Sequence, residues 1–187
     1  MAQKKKIRIL FIGNSHTYYH DLPAWVAVMA KEEGYECDVT MLAHGGWYLH
    51  QHVQEPDVRF NIMFGHYDYV VLQEHSHPLD DIPGYVKAAT TLASWIREAG
   101  SVPVIYGTWA KKEEEPVQAT MNDVNRKLTK DIDALYAPVG ESWWPYKASW
   151  PDIEMYDADE AHASERGIEF AAKIIWITIA ADFSHGS

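Results

Sequence analysis

The sequence predicts an α/β fold, a single three-layer α/β/α domain with a five-stranded parallel sheet. Two observations lead to this prediction. Short apolar runs alternate along the chain with longer stretches that carry apolar residues at helical spacing, as in repeated β-α units. The chain has 187 residues, contains neither an internal repeat nor a low-complexity linker, and suits one hydrophobic core. We therefore expect residues 1–187 to form one domain with helices on both faces of the sheet.

Five short runs are predicted as the strands. The first, residues 7–12, is apolar on both alternating faces and is followed by Gly13, which is typical of a buried strand. The second, residues 36–42, mixes apolar and polar side chains and is expected nearer an edge. The third lies within residues 67–73 and is predicted to be central, because it is rich in Val, Leu and Tyr. The last two strands are expected at residues 102–106 and 134–139.

Helices are predicted between these strands. Pro83 suits the start of a helix over residues 85–98, and Gly100 suits its end. Acidic residues open the helix predicted over residues 113–132, as the helix dipole favours. The apolar face of helix 85–98 is expected to comprise Val86, Ala89, Leu92, Ala93 and Ile96. The other helices are expected at residues 22–33, 47–53, 141–149 and 164–181.

The turn after the first strand has the sequence Gly13-Asn14-Ser15-His16-Thr17. Open α/β folds place their functional sites at the carboxyl edge of the sheet, and this turn is expected there. A hydroxyl at the start of a helix also lies near backbone N–H groups that can receive a developing negative charge. Ser15 is therefore a candidate nucleophile, although a Gly-x-Ser turn after a strand is common.

A second informative stretch, residues 157–164, precedes the last predicted helix and contains Asp159 and His162. A serine hydroxyl needs a base within hydrogen-bond reach, and a histidine oriented by a carboxylate can serve as that base. An Asp-x-x-His loop supplies both groups if it folds back beside the end of the first strand. The alternative is an exposed acidic loop in which Ser164 caps the last helix.

These two stretches resemble the first and last blocks of the SGNH hydrolases, the GDSL-type esterases and lipases. Asn14 stands where that family usually has Asp, and the blocks occur in the family's order near opposite ends of the chain. The resemblance implies the flavodoxin-like SGNH hydrolase fold and an ester hydrolase without a cofactor. It implies Ser15 as the nucleophile, His162 as the general base and Asp159 as the residue that orients it.

The resemblance also implies an oxyanion hole. The backbone N–H groups of Ser15 and Gly46 are the expected donors, with Gly45 as the near alternative to Gly46. The family's third block, Gly-x-Asn-Asp, is replaced here by Leu72-Gln73-Glu74-His75-Ser76. Gln73 is therefore expected to supply the side-chain amide. This departure keeps open a second hypothesis, a non-catalytic binding module on the same scaffold.

Several other residues are candidates for the pocket or for a metal site. His50-x-His52 and His75-x-His77 are spaced as metal ligands in a strand would be, but the first pair is expected on a helix, which separates its side chains. The sequence offers no further His or Cys at zinc-like spacing, so we expect no metal, and a metal-dependent phosphoesterase is the least favoured alternative. The pocket candidates are Asn14, His16, Gly45, Trp47, Glu74, His75 and Trp109, with ordinary core packing as the alternative for Trp109.

Composition restricts the partners. A formal net charge of −11 argues against nucleic acids and anionic membrane surfaces. No apolar run approaches the ~20 residues of a membrane span, and the apolar run after Lys4-Lys5-Lys6 lacks the features of a signal peptide, so a cytoplasmic location is expected. Eight Trp and eleven Tyr residues suit a small acyl ester, such as an acetylated carbohydrate, as the substrate. The sequence does not predict the oligomeric state.

Overall fold

The computed structural model describes residues 6–75 and 79–185, without the side chain of His185. Its centre is a sheet of five parallel strands in the order β2-β1-β3-β4-β5. The strands are β1 Lys6–Gly13, β2 Glu36–Ala43, β3 Tyr69–Leu72, β4 Val102–Tyr106 and β5 Leu135–Ala137. The predicted α/β class is confirmed, with β2 at an edge and β3 in the centre.

Helices cover both faces of this sheet. Their bounds are α1 Ser15–Tyr18, α2 Leu22–Glu32, α3 Leu49–His52, α4 Pro56–Phe64, α5 Ile82–Glu98, α6 Glu115–Asp131, α7 Val139–Ser149 and α8 Glu165–His185. A short 3₁₀ turn, Tyr19–Asp21, joins α1 to α2. No helix in residues 6–75 or 79–185 is long and apolar enough to cross a membrane.

Helices α4 and α5 differ from the sequence prediction. Helix α4 was not predicted, because its apolar residues form no single stripe: Val58 and Ile62 are buried, whereas Phe60 and Phe64 are each 63% exposed. In α5 the expected core residue Val86 lies at the surface, and Tyr85 is buried instead. The stripe that faces the sheet is therefore rotated toward Tyr85 relative to the prediction.

The core has two halves, one on each face of the sheet. Alternate side chains of β1 pack into one half or the other, since successive residues of a strand point to opposite faces of the sheet. Ile7, Ile9 and Phe11 pack with α2, α7 and α8, whereas Leu10 and Ile12 pack with α3, α4 and α5. Burial of each such side chain contributes about 1.5–3 kcal/mol to folding. The packing of α8 beside α2 brings the loop that precedes α8 close to the end of β1.

The register of the central strands determines which loops meet. Gly13 pairs with Ala43 at the ends of β1 and β2, and Ile12 pairs with Leu72 at the ends of β1 and β3. Three loops therefore leave the same edge of the sheet at the same level. They carry Ser15, the turn at residues 44–47, and Gln73.

Candidate active site

Ser15 is the first residue of α1, immediately after β1. Asn14 is the N-cap of this short helix, and its Oδ1 accepts a hydrogen bond of 3.1 Å from the N–H of His16. The Nδ2 of Asn14 donates to the carbonyl oxygen of Trp47 at 2.9 Å. Asn14 therefore fixes the start of α1 and ties it to the turn after β2, while the half-buried Ser15 points its hydroxyl toward the catalytic loop.

The candidate catalytic loop, residues 157–164, folds back against this turn. Its base is closed by an antiparallel bridge between Tyr156 and Ala163. The loop places Nε2 of His162 at 2.7 Å from Oγ of Ser15, and Nδ1 of His162 at 2.5 Å from Oδ2 of Asp159. The structure thus brings together the serine, the imidazole and the carboxylate in one hydrogen-bonded chain.

Asp159 is held in place by backbone donors as well as by the imidazole. Its Oδ1 accepts from the N–H groups of Ala161 and His162 at 3.0 and 2.9 Å. Partial burial alone would raise the pKa of Asp159, but the hydrogen bonds from the His162 side chain and from the two N–H groups outweigh it and lower the pKa to about 2. An ionised carboxylate on Nδ1 favours the tautomer in which Nε2 is free to accept the serine proton.

The turn after β2 contains the expected backbone donor. The N–H of Trp47 closes this turn on the carbonyl oxygen of His44 at 3.2 Å, and Gly46 has a φ of +72°. The positive φ that such a turn requires at its third position is most easily adopted by glycine. Gly45 and Gly46 are exposed, and the N–H of His44 donates to the carbonyl oxygen of Gly13 at 3.1 Å, which holds the turn beside the nucleophile.

Gln73 follows β3 and is only 1% exposed. Its Oε1 accepts from the N–H of Asn14 and from Oγ1 of Thr17, both at 2.8 Å, and its Nε2 donates to the carbonyl oxygen of Glu74. Gly13 makes room for this amide, since a Cβ there would lie 2.5 Å from Oε1 of Gln73. Gln73 therefore holds the turn that carries Ser15, a contact that the sequence did not reveal.

No family model and no curated protein matches the sequence. The structure, in contrast, resembles solved structures over nearly its whole length. A protein from Slackia heliotrinireducens, described as a putative SGNH hydrolase, is 28% identical with a TM-score of 0.81, and 94% of this chain and 100% of that chain are covered. This chain has the SGNH hydrolase fold. The resemblance stated from the sequence is thereby confirmed.

Two further solved structures, at lower sequence identity, resemble the fold of this chain. A carbohydrate esterase family 3 protein from Talaromyces cellulolyticus has a TM-score of 0.75 at 12% identity, and 97% of this chain and 100% of that chain are covered. The acetyl xylan esterase AlAXEase has a TM-score of 0.71 at 16% identity, with 91% and 98% covered. At such identities the similarity shows the fold alone.

Aromatic rings of this SGNH-type domain cover the faces of His162. The ring of Tyr19 stacks on it at a centroid distance of 4.2 Å and 11° between planes, and the ring of His16 stacks on the other face at 4.7 Å and 21°. The sequence analysis placed His16 in the pocket but missed Tyr19. The only signal for Tyr19 was its position four residues after Ser15.

Trp109 lies behind His16 and the candidate catalytic loop and is fully buried. It is 0% exposed and stacks on Trp143 at 4.1 Å. Its Nε1 donates to the carbonyl oxygen of Ala161 at 2.9 Å, and its ring meets the edge of His16. The core-packing alternative therefore describes Trp109 better than the pocket wall, and its N–H supports the catalytic loop.

Glu74 and His75 form the side of the site next to α3. Glu74 is 6% exposed, and its carboxylate accepts from the N–H of His75 at 2.6 Å and from that of Leu49 at 3.3 Å. Burial raises the pKa of Glu74 to about 7, against the smaller opposing effect of these two donors. Glu74 therefore connects the end of β3 to the start of α3 through buried hydrogen bonds. His75 is half-buried at the rim of the site and stacks on Tyr48 at 4.4 Å.

The histidine pairs have different surroundings. His50 and His52 lie on α3, as expected, with His50 exposed and His52 buried, and Nε2 of His52 lies 2.8 Å from the carbonyl oxygen of Gly13. His77 lies outside the described residues. Within residues 6–75 and 79–185, no three His, Cys, Asp or Glu side chains are grouped to hold a metal ion.

Proposed function

We propose that this protein is a serine ester hydrolase that cleaves small acyl esters with Ser15, His162 and Asp159. The observation that carries the proposal is the unbroken chain of contacts from Oγ of Ser15 to Nε2 of His162 at 2.7 Å and from Nδ1 to Asp159 at 2.5 Å. A serine next to an oriented imidazole is the arrangement that activates a hydroxyl as a nucleophile.

In the proposed reaction, Oγ of Ser15 attacks the acyl carbon while Nε2 of His162 takes the hydroxyl proton. The tetrahedral intermediate expels the alcohol, which receives that proton from His162, and an acyl-serine remains. Water then attacks the acyl-serine, with His162 again taking a proton and returning it to Ser15. Asp159 keeps Nδ1 protonated throughout and stabilises the imidazolium that forms in each half of the reaction.

The proposed oxyanion hole consists of the backbone N–H groups of Ser15 and Gly46 and of the remaining Nε2 hydrogen of Gln73. The positive φ of Gly46 and its exposed turn support the second donor. The fixed orientation of the Gln73 amide, whose oxygen already accepts two hydrogen bonds, supports the third. Each such donor is expected to contribute roughly 10²-fold to kcat.

For the substrate we propose an acetyl ester of a carbohydrate. Two proteins of the same fold are a carbohydrate esterase and an acetyl xylan esterase. Half-buried or exposed rings stand beside the glycine turn, with Trp47 at 4.1 Å from His44 and Tyr48 stacked on His75. Flat aromatic faces at a site rim suit the apolar faces of sugar rings. The cytoplasmic location and the lack of nucleic-acid or membrane partners remain predictions.

An ester panel tests the proposal. Wild type should release p-nitrophenol from the acetate ester faster than from the octanoate, and acetate from acetylated xylo-oligosaccharides. Ser15→Ala should abolish both activities, whereas Ser149→Ala, which changes an exposed serine whose hydroxyl donates to the carbonyl oxygen of Pro145, should retain them. A fluorophosphonate should add one adduct to the wild-type mass and none to Ser15→Ala. Wild type that neither turns over nor is labelled would refute the proposal.

A non-catalytic binding module is the second candidate, because the amide of Gln73 is largely committed to internal contacts. This hypothesis predicts that the protein binds acetylated oligosaccharides without releasing acetate. Calorimetric titration with the same oligosaccharides, run on Ser15→Ala and on wild type, distinguishes the two. Equal binding by both proteins and no acetate release would favour the binding module.

A further inference from the structure

The imidazole of His162 is held on its faces as well as on its edges. Hydrogen bonds to Ser15 and Asp159 hold the two ring nitrogens, but in-plane bonds alone leave the ring free to tilt about the line that joins them. The stacked rings of Tyr19 and His16 close the two faces, at interplanar angles of 11° and 21°. Residues 158–160, which precede His162 in the loop, are open to solvent, and His162 is half-buried, so the stacked rings are the neighbours that cover its faces.

The backbone around Tyr19 is arranged to present its ring. Directly after it, His20 and Asp21 have φ values of 47° and 56°, two successive left-handed residues that are not glycine. This conformation is costly for residues with a Cβ, and such strain is found where function requires a particular placement. Nε2 of His20 also lies 3.4 Å from Oδ2 of Asp157, which joins the strained turn to the catalytic loop.

We propose that Tyr19 is a positioning residue that fixes the plane of the His162 imidazole and stabilises its protonated form. This inference rests on the proposed function, in which His162 becomes an imidazolium. An aromatic ring presents a negative face to a cation stacked on it. The interaction with Tyr19 is therefore stronger after His162 has taken the serine proton than before, and it favours the transition state over the ground state.

The experiment replaces the ring and follows the imidazole directly. The ring-proton signals of His162 are assigned by comparison with His162→Gln and are recorded by NMR at one pH in wild type, Tyr19→Leu and Tyr19→Phe. Loss of the stacked aromatic face should move these signals downfield in Tyr19→Leu, because the ring no longer shields them, while Tyr19→Phe should keep the wild-type positions. Tyr146→Leu removes a half-buried tyrosine ring elsewhere and should leave the signals unchanged.

Kinetics supply the second measurement. Tyr19→Leu should lower kcat on p-nitrophenyl acetate on the order of tenfold, because the base is less well oriented, with little change in KM. Tyr19→Phe, which keeps the aromatic face, should restore the wild-type kcat. Should Tyr19→Leu not fold, Tyr19→Met replaces it.

The two proposals can fail separately. Unchanged His162 ring signals in a folded Tyr19→Leu or Tyr19→Met variant overturn the role of Tyr19, whether or not the protein hydrolyses esters. A change of equal size in Tyr19→Phe also overturns it, because the hydroxyl and not the ring face would then be responsible. Conversely, the expected change in the variant signals, found together with a wild-type protein that lacks esterase activity, upholds the contact and refutes only the proposed function.

Discussion

Oγ of Ser15 lies 2.7 Å from Nε2 of His162, although the two residues are 147 positions apart in the chain. The contact follows from the fold. Ser15 lies at the end of β1, and His162 lies on the loop that precedes α8. Helix α8 packs beside α2 on the same face of the sheet. The contact between Ser15 and His162 therefore depends on how α8 packs against the sheet, and the contacts of the loop provide the first tests.

The first prediction distinguishes the two carboxylates of the catalytic loop. Asp159→Asn should lower kcat by about 10³- to 10⁴-fold, because an amide favours the wrong imidazole tautomer. Asp157→Asn should cost far less. Asp157 contacts His20 at 3.4 Å and the N–H of Ala158 at 2.8 Å but not the imidazole of His162. Steady-state kinetics on p-nitrophenyl acetate checks this, and equal losses would contradict the assignment of Asp159.

The second prediction concerns the indole N–H that supports this loop. Trp109→Phe removes the 2.9 Å hydrogen bond to the carbonyl oxygen of Ala161, so the loop should loosen and kcat should fall on the order of tenfold at nearly constant KM. Trp143→Phe is the matched control. It also shortens a fully buried indole in the same stack, but Trp143 does not donate to Ala161.

Circular-dichroism melts separate loop effects from general destabilisation. Both substitutions should lower Tm by a few degrees, because each leaves a cavity of similar size in the core. Only Trp109→Phe should also lower kcat at a temperature where both variants are fully folded. A matching loss of kcat in Trp143→Phe would mean that the stack acts on the site as a whole and not through the indole N–H.

The third prediction is a dependence of stability on pH. Burial raises the pKa of Glu74 to about 7, above the ordinary value of 4.5 that applies in the unfolded chain. The folded state therefore binds the proton more tightly. The resulting stabilisation is complete below about pH 4.5 and is lost as the pH rises through about 7.

Urea unfolding at several pH values measures this contribution. Glu74→Gln has a neutral side chain of the same shape. Between pH 5 and pH 8 its free energy of unfolding should therefore rise relative to that of wild type, which loses the stabilisation from the bound proton. The full pKa difference, about 2.5 units, corresponds to about 3–4 kcal/mol. Glu160→Gln, at an exposed carboxylate, is the control and should leave the pH profile as in wild type. A constant difference between Glu74→Gln and wild type would show that Glu74 is ionised in the fold throughout.

The fold was predictable because its signals are local. The apolar run before Gly13 and the spacing of the later strands were sufficient for a parallel sheet with β2 at its edge. Helix α4 was missed because Phe60 and Phe64 face solvent and hide the helical period. The exposed position of Val86 likewise depends on how α5 rotates against the sheet, which residue spacing alone does not determine.

The candidate site was predictable only in part, for a physical reason. Ser15 and the Asp-x-x-His loop were found because each is a short pattern at the end of an element. The role of Gln73 as an acceptor for Asn14, and the stacking of Tyr19 on His162, depend on side-chain directions across 59 and 143 positions of the chain. Contacts of this kind produce no recognisable pattern of residue spacing in the sequence.

The last prediction concerns Gln73, where the chain departs most from the SGNH pattern. The amide has two separable functions, because Oε1 accepts from Asn14 and Thr17 while Nε2 donates. Gln73→Ala removes both and should lower kcat by about 10²-fold or more at nearly unchanged KM. Gln73→Glu keeps an acceptor for Asn14 and Thr17 but removes the N–H donors, including the one to the carbonyl oxygen of Glu74.

The comparison of the two variants decides which function matters. If Gln73 donates to the oxyanion, Gln73→Glu should lose about as much kcat as Gln73→Ala, since both lack the donor in the transition state. If its role is only to brace the nucleophile turn, Gln73→Glu should keep most of the wild-type kcat, and Ser15 and Gly46 would be left as the two donors. Glu74→Gln, which leaves the Gln73 amide intact, controls for altered charge beside the site. Kinetics of all three variants at one pH, with labelling of Ser15 by a fluorophosphonate to count intact sites, completes the test.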